Sequence, residues 1–461
     1  MTPARRACGC NDFSRTSFIQ HAVAEAGRGL PAIEPGMPLP PGTGLSRRSF
    51  LSRSLGLALS VYGASVIDPR ALELGIAKAQ AAGPGQILVS IYLAGGADSL
   101  SMLYPHADPD YQRLRPKLAL AADAGPAFAE DQRLGWHPAL EPLTKLYEQG
   151  KVTVMSQIGL ETADGSHFNT LNNLQEAAIN ARLNTGWLGR YLDVVGAVDN
   201  PLQGISLDGS LDPLLATVKH PVAAMDGPFF QLSVPSVYGK VETRLQEAMG
   251  DIGSADYRDA SRNLAAGVML QSRRLIEQMA PFGDGSGLTP PVEYPSADPD
   301  GFPTKLAGLA GMISSGLPLS CVAMTAPGLY DTHDSQVSYL DDGLARTFSS
   351  IAAFQADLES RGVADRVLIY VWTEFGRRPE ENGSNGTDHG AAGLAFLIGT
   401  RVRGQLIGEF TNLKDLDPLG NLKTVVDFRS IYCSVLEQWF GVDAGQIVPN
   451  AQKFARAELF A

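Results

Sequence analysis

Residues 367–393 read VLIYVWTEFGRRPEENGSNGTDHGAAG. The opening run, Val367–Trp372, is apolar and rich in β-branched and aromatic residues, as a strand buried on both faces requires. It ends abruptly in Thr373, Glu374, Phe375, Gly376, Arg377 and Arg378, and a polar, glycine-rich loop then leads to Asp388-His389-Gly390. In open α/β sheets ligands sit just beyond the carboxyl ends of the strands. A buried strand that empties into a carboxylate, two guanidiniums and an Asp-His pair therefore reads as one wall of a metal-dependent, anion-handling site.

Working outward, three other strands repeat the pattern. Ile87–Leu93 (ILVSIYL) is a second buried strand, ending in Gly95-Gly96-Ala97-Asp98-Ser99. Val152–Ile158 is a third, and Asp164-Gly165-Ser166-His167 follows it, ahead of a helix over Phe168–Ile179. Ser166 thus lies at a helix N-terminus, where backbone N–H groups and the dipole favour an anion. Gly186 opens a helix that carries Arg190. Ser320–Thr325 is a further strand, followed by Tyr330-Asp331-Thr332-His333-Asp334 and a long helix over Val337–Arg361. Leu394–Ile398 and a closing helix over Val425–Phe440 complete the chain, with a long helix also expected over Ala255–Ala280 and a loop over Pro281–Pro303.

Strands alternating with helices imply an α/β fold: a three-layer α/β/α sandwich around a mostly parallel sheet. Asp98, Ser166, Asp331 with His333, and Glu374 each follow a separate strand, so such a sheet brings them to one edge. Asp, His and Glu without cysteine suit zinc, manganese or magnesium, as one ion or two. Two ions clamp a phosphoryl or sulfuryl centre and activate the attacking oxygen. Ionised carboxylates and neutral imidazoles are the competent ligands, so loading weakens as pH falls through their titration.

Each residue also has a plainer use. Asp98, Asp331 and Asp388 are turn formers. Ser166 is a preferred helix cap, and capping alone would place His167 beside it. Glu374 with Arg377 makes a plausible internal ion pair.

The whole chain sets the bounds. It has 461 residues, 44% hydrophobic and 19% charged, an ordinary globular composition. Residues 1–80 carry nine basic and five acidic residues, leaving residues 81–461 with 28 basic against 44 acidic, a net charge of −16. A body so acidic repels phosphate backbones, so nucleic acid is not an expected partner. The four cysteines, Cys8, Cys10, Cys321 and Cys433, show neither disulfide-framework nor zinc-ribbon spacing.

Residues 1–45 are rich in Gly and Pro and lack periodicity. Ser46-Arg47-Arg48-Ser49-Phe50-Leu51 then precedes a moderately apolar run, Leu55–Ile67, and the small-residue sites Ala77-Lys78-Ala79 and Ala79-Gln80-Ala81. Paired arginines, a weak apolar run and an A-x-A site form the pattern of a twin-arginine (Tat) export signal. The run is too short to span a bilayer comfortably, so no stable span is expected after cleavage. The expected organisation is a disordered leader over 1–82 and one domain over 83–461 with an insertion-like region at 199–303. The expected location is periplasmic or extracellular, reached through the Tat export machinery.

GGADSL (95–100), RP (115–116), HPAL (137–140), SHF (166–168), GWLGR (186–190), DTHDSQ (331–336), TEFGRR (373–378) and GTDHG (386–390) occur in this order behind the export signal. The set resembles domain-of-unknown-function family 1501, in the alkaline-phosphatase-like superfamily beside sulfatases and cofactor-independent phosphoglycerate mutases. The resemblance implies that sandwich with metals at its strand ends. On matching positions it implies Asp98 as first metal ligand and Ser166 as nucleophile; His167, by its place next to Ser166, is expected to orient it or touch substrate. It implies Asp331, His333 and His389 around one ion, Glu374 and Asp388 toward the other, and Arg377 or Arg190 on substrate oxygens. The superfamily commonly has Asp-His after a late strand, where this chain has Glu374-Phe375, and the sulfatase Cys-x-Pro-x-Arg signature is missing.

Two functions are thus expected. The first is an exported metal-dependent hydrolase of phosphate or sulfate esters, attacking through Ser166 or metal-bound water. The alternative is a catalytically degenerate envelope protein that binds an anionic glycan or a protein partner.

Overall fold

The computed structural model describes residues 60–62, 85–161, 164–197, 200–227, 240–255, 257, 262, 266, 289–296 and 301–461. All of them lie in the compact unit Pro41–Ala461; the other unit, Met1–Pro40, falls outside the described residues. So do the twin arginines, both A-x-A sites and, apart from four positions, the helix expected over 255–280.

The strands that place the site are β1 (Ile87–Tyr92), β2 (Val152–Gly159), β3 (Gly204–Ser206), β4 (Val222–Ala224), β5 (Cys321–Thr325), β6 (Val367–Trp372), β7 (Arg377–Glu381), β8 (Thr387–His389), β9 (Gly393–Ile398) and β10 (Gln405–Ile407). The longer helices are α1 (Glu141–Glu148), α2 (His167–Glu176), α3 (Trp187–Val195), α4 (Lys240–Ser254), α5 (Phe302–Ser314), α6 (Gln336–Ser360) and α7 (Phe428–Gln438). Among the described residues the main sheet has ten strands and runs β4-β3-β5-β1-β6-β9-β2-β10. Ser60–Tyr62 pairs antiparallel with β4 at one edge, and Val426–Asp427 pairs with β2.

β4, β3, β5, β1 and β6 are mutually parallel. β9 is antiparallel to both β6 and β2, so β2 shares the direction of β6. The carboxyl ends of β1, β2, β5 and β6 therefore lie on one edge, as the sequence pattern requires. The reversal at β9 has a local cause. A parallel connection needs a crossover of a dozen or more residues, usually helical. Here the intervening chain is spent on a hairpin, β7 with β8, and returns directly to the sheet. That hairpin occupies the stretch expected to be a loop.

Both sheet faces are covered. Ile87, Val89 and Ile91 of β1 pack in one apolar core with residues of α1, α5 and α6. Leu88 belongs to a second core with residues of α2, α3 and α7. Side chains alternate along a strand, so a continuous apolar run is what two covered faces demand. The expected three-layer α/β/α arrangement is present. Among the described residues no helix is long and apolar enough to cross a membrane.

Candidate metal centre

Four strand ends and one hairpin meet at the common edge. Past β1, Gly95 and Gly96 take positive φ values of 126° and 74°. A Cβ at Gly95 would stand 2.4 Å from the Asp331 nitrogen, and one at Gly96 would stand 2.3 Å from the Phe375 ring. Only glycine lets the β1 tip run this close beneath the site. Past β2, Asp164 accepts from the Ser166 N–H (2.9 Å), and Ser166 caps α2 by accepting from the Asn169 N–H (3.4 Å). His167 is then the first residue of α2. Asp331 and His333 follow β5, Glu374 follows β6, and β7 and β8 carry Arg377, Asp388 and His389.

The imidazoles converge through Nε2. His389 Nε2 lies 3.0 Å from His167 Nε2 and 2.9 Å from His333 Nε2. The Asp331 carboxylate approaches all three, at 3.6 Å from His167, 3.1 Å from His333 and 3.3 Å from His389. Each outer ring nitrogen faces an oxygen. His167 Nδ1 is 2.6 Å from Glu374 Oε1, His389 Nδ1 is 2.8 Å from the Gly165 carbonyl, and His333 Nδ1 is 3.3 Å from Asp388 Oδ1. Carbonyl and carboxylate oxygens only accept, so in the neutral imidazoles the protons sit on Nδ1. The Nε2 lone pairs then point at one another and at an anion. That arrangement repels unless positive charge lies among them, and an outer N–H bound to an oxygen is the usual support of a metal-ligating histidine.

The fit to a cation follows from the spacing. Donor atoms of His167, Asp331 and His389 lie mutually within 4.8 Å. A four-coordinate ion with bonds of about 2.0–2.1 Å holds its donors roughly 3.3 Å apart. The closest approaches of the three pairs are 3.0 Å between the imidazoles, 3.3 Å from His389 to Asp331 Oδ1 and 3.6 Å from His167 to Asp331 Oδ2, so the two histidines face different oxygens of one carboxylate. Two histidines and a carboxylate with one position open is a donor set used by catalytic zinc. His333 adjoins two of the three donors, and Asp388, half-exposed, orients it.

The same contacts set the titration. Burial opposes charge on His167, but the hydrogen bonds to Asp331 and Glu374 outweigh it and raise its pKa to about 9. Burial likewise works against ionised Asp331, yet hydrogen bonds from His167, His333, His389 and Arg377 hold its carboxyl far below the usual range. Glu374 is buried and also lowered, because the bond and charge of His167 exceed the burial effect. In the metal-free protein a proton on His167 thus takes the place of the cation.

Several expected roles fall elsewhere. Glu374 is not open to an ion: it accepts from the Gly95 N–H (3.0 and 3.2 Å), the Thr373 hydroxyl (3.0 Å) and His167. Arg377 is fully buried and donates to Gly96 O, Thr387 O, Tyr330 O and Asp331 Oδ1 (2.5 Å), besides Gly95 O, so it holds Asp331 rather than facing substrate. Arg190 donates to the carbonyls of Ile447, Thr185 and Glu176, which ties α3 to its neighbours and not to the cluster. Asp98 is wholly buried against Arg115 (2.5 and 2.9 Å) and outside the cluster; the Arg115 charge, working against burial, lowers its pKa. Its lone pairs are taken, so it is no ligand in this arrangement. Sequence reasoning gave no role to Arg115, to Phe375, whose ring centroid is 4.9 Å from those of both His167 and His389, or to Gln336. Arg115 and Gln336 do stand inside the quoted motifs, at RP and at the end of DTHDSQ.

Fold and site together define an α/β protein with a candidate divalent-cation centre at the carboxyl edge of its sheet. Residues 304–446 match the family described as Protein of unknown function (DUF1501), which bears out the resemblance read from the motifs over that stretch. DTHDSQ, TEFGRR and GTDHG lie inside the match. Among solved structures the chain is similar to a protein of the alkaline phosphatase superfamily from Vibrio parahaemolyticus, at 8% identity over 86% of this chain and 80% of that one, with a TM-score of 0.36. It is similar to a phosphonate monoester hydrolase from Silicibacter pomeroyi at 12% identity, over 81% and 75% of the two chains, with a TM-score of 0.35. It is also similar to a sulfatase from Pseudoalteromonas at 10% identity, over 81% and 71%, with a TM-score of 0.36. No curated protein matches the sequence.

Proposed function

We propose that this chain is an exported hydrolase of phosphate or sulfate esters that depends on one divalent ion held by His167, Asp331 and His389. The convergence of imidazole Nε2 atoms on a carboxylate carries the reading. When bound, such an ion supplies Lewis-acid polarisation of an ester oxygen and acidifies water. The chain's own groups do the rest. Glu374 and the Gly165 carbonyl fix the tautomers of His167 and His389, and Arg377 anchors Asp331. The start of α2 brings backbone N–H groups and the Ser166 hydroxyl beside His167, which favours an ester anion there. Arg378 is exposed and engages the His389 carbonyl through Nε (3.3 Å), so it is the guanidinium we assign to substrate oxygens in place of Arg377 and Arg190. The twin-arginine pattern supports export of the folded chain.

The commitment of Arg377 and Arg190 to backbone carbonyls favours the second reading, an envelope protein that binds an anionic glycan or partner without turnover. One experiment separates the two. Protein loaded with zinc, manganese or magnesium is screened against phosphomonoesters, phosphodiesters and sulfate esters, with Ser166→Ala alongside. Turnover by the wild type supports the hydrolase. Its loss in Ser166→Ala with metal retained assigns attack to the serine, and its survival assigns attack to water. No turnover of any ester by the metal-loaded wild type overturns the hydrolase reading.

A further inference from the structure

Behind the metal donors lies a buried polar network. Gln336, the first residue of α6, is 1% exposed, and its side chain joins three strand-end segments. Its Nε2 donates to Asp98 Oδ2 (2.6 Å) and Ser101 Oγ (3.3 Å), on the β1 tip. Its Oε1 accepts from the hydroxyls of Thr332 (3.0 Å) and Thr387 (2.6 Å). Thr332 stands between Asp331 and His333; Thr387 begins β8, which ends in His389. The amide orientation is forced, since an ionised Asp98 accepts only and the hydroxyls need an acceptor. The backbone follows the same path: Thr387 N–H donates to Thr332 O (3.0 Å), and Gln336 N–H to Asn385 O (3.0 Å). Asp98 is held in turn by Arg115, whose other donors grip Pro379 O (2.8 Å) and Arg378 O (2.9 Å) of β7.

We propose that Gln336 is a positioning residue of the metal centre. It sets the distance between the Asp331 loop and the β7–β8 hairpin through the Thr332 and Thr387 hydroxyls, with the Asp98–Arg115 pair as its fixed base. This rests on the metal reading above and goes beyond it, giving Asp98 a role as anchor rather than ligand. The register leaves little slack: a Cβ on Gly386, next to Thr387, would stand 2.3 Å from the His333 carbonyl carbon. Asp331 stands on one side of this joint and His389 on the other, so a shift of the hairpin spoils the donor spacing without removing a ligand.

The test measures zinc dissociation constants by competition with a chromogenic chelator, for wild type, Gln336→Met, Thr387→Val, Thr387→Ser and a control, Tyr294→Phe. Tyr294 bonds Asp357 (3.0 Å) and belongs to no part of the network. Gln336→Met and Thr387→Val each weaken zinc binding about tenfold or more, the range seen when ligand supports are removed. Thr387→Ser, which keeps the hydroxyl, stays within about twofold of wild type, and Tyr294→Phe lowers the melting temperature without changing zinc affinity. If Gln336→Met does not fold, the Thr387 pair decides. Zinc binding within about twofold of wild type in Thr387→Val overturns the proposal. Wild-type protein that takes up no zinc overturns the metal reading together with it.

Discussion

Glu374→Gln puts the outer support of the centre to the test. Glu374 is buried, and its Oε1 lies 2.6 Å from His167 Nδ1. The amide oxygen of glutamine can keep the Gly95 and His167 bonds, so the fold and the imidazole tautomer survive. What disappears is the negative charge. A charge-assisted bond is roughly twice as strong as a neutral one, and it makes Nε2 a better donor to a cation. Loss of such a support typically costs 10–100-fold in metal affinity, about 1.4–2.8 kcal/mol. The pKa of His167 in metal-free protein should also fall from about 9, since Glu374 is among the groups that raise it. Chelator competition gives the affinity, and a histidine proton titration by NMR gives the pKa. A folded Glu374→Gln protein with wild-type zinc affinity and an unshifted His167 would refute the argument that Glu374 acts through this imidazole.

Two further outcomes follow from the same contacts. His167 in the metal-free fold titrates near 9 against an ordinary 6.5, so its contribution to metal-free stability is complete below pH 6.5 and is lost as pH rises through 9. The metal must displace that proton, so apparent affinity should rise about tenfold per pH unit up to pH 9, with about one proton released per ion near pH 7.5 in buffer-corrected calorimetry. Asp98→Asn breaks a fully buried ion pair with Arg115. It should lower stability in urea melts by about 3–5 kcal/mol, while the protein that remains folded still takes up a full complement of metal at saturation.

How much of this was legible in the residues follows from physical range. Strand ends announced themselves, because the buried runs ILVSIYL and VLIYVW stop at glycine or carboxylate, and a parallel sheet does the rest. Asp331, His333, Glu374, Asp388, His167 and His389 do meet, and all come from such ends or from the hairpin between β6 and β9. Arg377 and Arg190 turn to backbone carbonyls, which a sequence does not show because it does not say which way a guanidinium points. Arg377 pairs in register with His389, so both face inward, and its donors go to carbonyls instead of to solvent. The pairing of Asp98 is hidden for the converse reason. Nothing local marks Arg115 as its partner, and a saturated carboxylate looks the same on paper as a ligand. The β7–β8 hairpin hid in a segment dense in Gly and Asn, where turn chemistry masks short strands. Two further histidines stand outside the cluster: His137 caps a short helix and pairs with Asp341, and His220 bonds the Leu192 carbonyl.

The central claim is that the imidazoles of His167 and His389 and the carboxylate of Asp331 bind a divalent ion. Elemental analysis of the folded wild-type protein, after dialysis against a trace of zinc and beside Asp331→Ala and His389→Ala, addresses it directly. Close to one ion per wild-type chain and none in either variant is the expected result. A folded wild-type protein that emerges free of metal, or variants that retain it, would contradict the account.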